Sequence, residues 1–126
     1  MSAMTAVIRR RDPAVIAARA HHVLDAAART HKDWPDGGRG AIGRALISLH
    51  VALEKYRITA DSDGDVSAAA EDASVAMALL LLAVSVFLGK GVADQMMTDA
   101  AGITSGGDAG TNEMTIPGVG KNDRSN

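Results

Sequence analysis

ASVAMALLLLAVSVFLG, residues Ala73 to Gly89, is a run of seventeen residues with no charge and only two serines among apolar or small side chains. A helix that is apolar all round must be covered on every side, by protein or by lipid. At 1.5 Å per residue the run spans about 25 Å, the lower edge of what crosses a hydrocarbon core. A window centred on it has a mean hydropathy of about 2, within the range of membrane-spanning helices. Glu71 and Asp72 stop the run at one end and Lys90 at the other. Ser74, Ala76, Ala78 and Ala83 would let other helices approach closely in either solvent. Two solutions therefore stand side by side: a shared protein core, or a bilayer.

The rest of the chain is too small to settle the matter alone. Its 126 residues make one domain with a single core. With no cysteine there is no disulfide framework and no thiolate chemistry, which fits a reducing compartment. One Trp, one Tyr and one Phe leave the interior to aliphatics, methionine and many alanines, a composition that favours helix over strand. No apolar run follows the early arginines, so no secretory signal peptide is expected. Residues 1–60 carry ten Lys/Arg against five Asp/Glu, whereas residues 61–126 carry three against ten. Such an asymmetry serves solubility, or in a sharper reading head-to-tail or intersubunit attraction between unlike halves.

The organisation expected is a basic arm at 1–11, a helical domain at 12–100 and an irregular or partner-ordered tail at 101–126. Asp12-Pro13 is a helix opening, an Asp cap before a first-turn proline. The first helix extends to about His31, with Ile16, Ala20, Val23, Leu24 and Ala27 on one stripe. Lys32 to Gly38 is a turn, and its Trp34 either plugs the end of the bundle or meets a partner. A second helix covers about Gly40 to Arg57 with a strong stripe through Ile42, Leu46, Leu49 and Leu53. Ile47 and Val51 form a smaller patch well round the same helix, as an oligomerising helix would show. Ser67 is the expected cap of the third helix, Gly89-Lys90-Gly91 its end, and Val92 to Ala100 a short extra turn. From Gly102 the composition turns to Gly, Asp, Thr, Ser and Asn, which predicts no structure of its own.

Chemistry-bearing patterns are few. Asp61-Ser62-Asp63-Gly64-Asp65, with Asp72 closing a twelve-residue window, resembles an EF-hand calcium loop over this stretch alone. The resemblance implies carboxylate ligands at Asp61, Asp63, Asp65 and Asp72. It departs from the pattern where Val66 replaces the turn glycine, where Ala68 replaces a branched aliphatic, and where Asp72 is shorter than the bidentate Glu. An acidic turn leading into helix three accounts for the same residues. His50 and Glu54 lie one turn apart and could hold an ion with one of His21 or His22, though surface pairing explains them more simply. No elbow serine, P-loop or Glu-x-x-His repeat is present, and Arg9-Arg10-Arg11 lacks adjacent aromatics. No cofactor, no catalysis and no nucleic-acid partner are expected.

The reading is an all-α chain: a small helical bundle of three main helices, the third strongly apolar, with a short fourth segment and a Gly-rich tail. Two amphipathic stripes cannot wrap the third helix on all sides. The chain is therefore expected to be a non-catalytic assembly protein that pairs with itself and with another protein. Met77, Leu80, Leu81, Val84 and Leu88, with Ile47, Val51 and Trp34, are its expected contacts. It would be cytoplasmic or within an assembled particle, in the manner of a phage accessory component. The alternative is a single-pass protein of the inner membrane, with Ala73–Gly89 spanning and the N-terminus cytoplasmic.

Overall fold

The structure, a computed structural model, describes residues 12–104, so the arginine arm and the chain beyond Thr104 lie outside it. The described residues are all-α: α1 (Pro13–Ala28), a 3-10 turn (His31–Asp33), α2 (Arg39–Asp61), α3 (Ser67–Leu88) and α4 (Lys90–Ala101). α3 packs against the other three helices, most extensively against α2 and then α1. The start of α2 meets the end of α3, where Gly38 lies against Phe87, so these two helices run antiparallel.

Each helix begins or ends for a local reason. Asp12 caps α1 as its sequence predicts, accepting the Ala14 N–H at 2.9 Å with Pro13 at the first position. α1 stops at Ala28, three residues short of the expected end. Thr30 bends back there, its Oγ1 donating to the Ala27 carbonyl at 2.6 Å and accepting the Trp34 Nε1–H at 2.8 Å. That bond satisfies the indole as its ring enters the core. His31 stacks edge-on against the same ring with centroids 4.8 Å apart.

α2 continues to Asp61, one turn beyond Arg57, because Thr59 and Ala60 tolerate helix and the stop comes later. Asp63 takes φ +58°, its N–H reaches the Ala60 carbonyl and the Gly64 N–H reaches that of Thr59. This pair of bonds is the Schellman closure, with aspartate where glycine usually stands. Asp65, rather than Ser67, caps α3: its Oδ1 accepts the Ser67 N–H at 2.9 Å, and Ser67 is itself the first helical residue. α4 is a full twelve-residue helix instead of a short turn. Gly89 alone separates it from α3, with φ +109° and ψ 147°, a backbone region open in practice only to glycine.

The core is built from small residues. Ten of the nineteen buried apolar residues among those described are alanine, including Ala69, Ala70, Ala73 and Ala76 on α3 and Ala20 and Ala27 on α1. Ile42, Leu49, Leu80, Val23 and Val84 are the largest side chains fully enclosed. The helices meet at closely spaced backbones more than through large interlocking side chains.

Candidate interaction surface

The distribution of exposure around α3 defines the surface. Its inner face is the alanine row continued by Leu80, Leu81 and Val84, which α1, α2 and α4 cover. Turning about half the helix circumference brings up Val75, Leu79, Leu82 and Val86, each between 55% and 65% exposed. Their spacing is four, three, four, so the side chains stack in one straight stripe along the outer side. Single exposed leucines are ordinary on a protein surface; an unbroken row of four large apolar side chains is a candidate surface for a protein partner or for lipid.

α2 carries a shorter version of the same feature. Ile47 and Val51 are exposed as their spacing predicts, and Ile58, which lies beyond the expected end of this helix, joins them at 55% exposure. All three project away from the core face of Ile42, Leu49 and Ala52. Val92 and Met97 are the exposed large apolar residues of α4.

The contact residues expected on α3 fall elsewhere. Leu80, Leu81 and Val84 are already buried within the chain, and Met77 and Leu88 are partly buried against the same core. Trp34 is also interior, with 8% exposure, and fills the α1–α2 connection instead of facing outward. None of these five aliphatic positions belongs to the exposed stripe.

A concave feature lies between α1 and α2, a cleft of about 500 Å³ that Ile103, from beyond α4, helps to line. Arg19 holds that segment, its Nε donating to the Ile103 carbonyl at 3.0 Å. His21 and His22 both border the cleft, although their adjacency predicts that only one could, and His50 and Glu54 face them from α2. The charged groups are engaged with near neighbours. His21 Nδ1 sits 3.3 Å from Asp25 Oδ2, and Glu54 Oε1 accepts from Arg57 Nη2 at 3.0 Å. Arg57 Nη1 donates on to Asp61 Oδ2 at 3.1 Å. The bond from Arg57, then its charge, holds the Glu54 carboxyl below the usual carboxylate range. Burial, with Asp12 nearby, pushes the Tyr56 phenol up. Glu54 thus stays ionised, and Arg57 is committed to two carboxylates. Among the described residues no three His, Asp or Glu side chains converge on a point that could hold a metal ion.

The acidic loop is likewise occupied with local work. Asp61 pairs with Arg57, Asp63 forms the turn that ends α2, Asp65 caps α3, and Asp72 is exposed on the second turn of α3. The bonds that Ser67 donates hold Asp65 below the usual carboxylate range.

Comparison with known proteins gives no match: no family model fits the sequence, and neither a curated protein nor a solved structure is significantly similar.

Proposed function

We propose that this chain is a non-catalytic helical-bundle protein that homo-oligomerises through the outward face of α3, as a structural or accessory component of a larger assembly. The observation that carries the reading is the exposed row Val75, Leu79, Leu82 and Val86. Its four-three-four spacing is that of the seam by which two helices pack on each other. A helix presenting such a seam matches best another helix with the same seam, and a second copy of this chain supplies one. The Ile47, Val51 and Ile58 face of α2 is then left for a further protein. On this reading the protein works in the cytoplasm or within an assembled particle.

The test is light scattering on the purified protein beside a Leu79→Glu/Leu82→Glu variant. The wild type should have a mass above one subunit. The variant should be monomeric with unchanged helical circular dichroism, because both side chains lie outside the core. A monomeric wild type at high micromolar concentration overturns the reading.

A second reading draws on the same helix. α3 is long and apolar enough to cross a bilayer, with a mean hydropathy of 1.9 and only 33% of its most apolar window buried. Insertion as a single span would require α3 to leave its contacts with α1, α2 and α4, exposing alanine faces that now cover one another. Retention of the untagged protein in alkaline-washed membranes would establish this alternative and displace the first.

A further inference from the structure

The α3 stripe reads the same from either end. Val75 and Val86 are its outer members and Leu79 and Leu82 its inner ones, so its centre lies between Leu80 and Leu81. A second copy laid along it in the opposite direction sets leucine against leucine and valine against valine. An isologous interface requires this self-complementarity, in which residue i meets residue j and residue j meets residue i. A parallel copy would match the apolar residues equally well, so the choice of direction falls to the charges.

Asp72 stands seven residues before Leu79, and therefore on the same line of the helix. It is exposed, at the acidic end of α3, whereas the other end of the stripe runs from Val86 to Gly89 with no charged side chain; Lys90, the first residue of α4, is already paired with Asp94 at 2.8 Å. Parallel pairing brings Asp72 face to face with Asp72 of the second copy at the seam, with like charges juxtaposed as the apolar surface closes. Antiparallel pairing instead brings Asp72 opposite Gly89 of the second copy, which adds no side chain and no like charge. The geometry points to an antiparallel two-fold dimer of this chain, its axis passing between Leu80 and Leu81 of both copies. Val75 of one copy then packs on Val86 of the other, and Leu79 on Leu82. This inference rests on the self-association proposed above and specifies its partner and direction.

The chain contains no cysteine, so introduced thiols report the pairing without background. Val75→Cys and Val86→Cys variants, one carrying a mass tag, are mixed, re-equilibrated and oxidised. The mixture should give the tagged–untagged disulfide dimer, and each variant alone should give little. In the antiparallel arrangement the two Val75 positions lie about 16 Å apart along the axis, beyond disulfide reach. Self-linking of Val75→Cys alone would overturn the antiparallel direction. So would a dimeric wild type whose variants link in neither way, since the stripe would then not be the seam. A monomeric wild type in parallel light scattering would overturn the self-association itself, so the two failures are distinguishable.

Discussion

Gly38 lies directly beneath Phe87, so close that a Cβ added to the glycine would stand 2.8 Å from the Cβ of the phenylalanine. The ring atoms Cγ and Cδ1 of Phe87 lie closer still, and even if the ring swings away the Cβ at its root stays in the way unless α3 moves. Gly38→Ala should therefore destabilise the fold by about 1–3 kcal/mol, the cost of overpacking a closed interior. Urea titration followed through Trp34 fluorescence measures this. Phe87→Ala in the same chain should recover part of the loss specific to Gly38→Ala. Additive effects in the double variant would mean that the contact does not restrict position 38.

Leu79 and Leu80 are neighbours in sequence with opposite roles: Leu80 is fully buried and Leu79 is 55% exposed. Leu80→Ala should lower the unfolding free energy by about 2–5 kcal/mol through cavity formation. Leu79→Ala should change the stability of the single chain by only about 0.5 kcal/mol or less, while raising the dissociation constant of the proposed oligomer. Denaturation at low concentration and sedimentation at high concentration separate the two effects.

This contrast also shows where the sequence ceases to be readable. The amphipathic helices α1 and α2 announce their inner faces through periodicity, and Asp12-Pro13 announces where α1 begins. α3 has no such signal, because Val75, Leu79 and Leu82 are as apolar as Leu80, Leu81 and Val84. Size does not decide it either. The inner face takes Ala69, Ala70, Ala73 and Ala76, since small side chains let helices approach, while large ones are left outside. Only the directions of the neighbouring helices pick out the covered side. The end of α2 and the cap of α3 differ from the expectation for a related reason, whereas the end of α3 at Gly89 does not. Acidic turn residues serve equally as caps, closures or linkers, and their roles depend on which backbone groups the helices leave open.

Asp63 closes α2 in the left-handed region at φ +58°, which costs a residue bearing a Cβ more than it costs glycine. Asp63→Gly should raise stability by up to about 1 kcal/mol, the gain in the folded state exceeding the added freedom of the unfolded chain. Thermal melts of the two proteins at one concentration provide the check, and a lower midpoint for the variant would count against the closure.

The Asp65 cap should be sensitive to acid. Its carboxyl is held below the usual range by the bond that the Ser67 N–H donates, so the folded state binds a proton less readily than the unfolded chain. The stabilisation is complete above the ordinary aspartate value, near about 4, and disappears as pH falls below it through the lowered value. The melting midpoint should thus exceed that of Asp65→Ala at pH 7, with the gap closing in strong acid. A gap that does not depend on pH would mean that ionisation of the cap contributes nothing.

An interior made largely of alanine has a thermodynamic signature. Each buried alanine withdraws little apolar surface from water, so unfolding a single chain should expose little. The urea dependence should be shallow and the heat-capacity increment small for the chain's length, giving a broad melt and a flat stability curve. The proposed pairing through α3 would add large apolar side chains to what is covered. The melting temperature of the wild type should therefore rise with protein concentration, as mass action requires when the folded state associates.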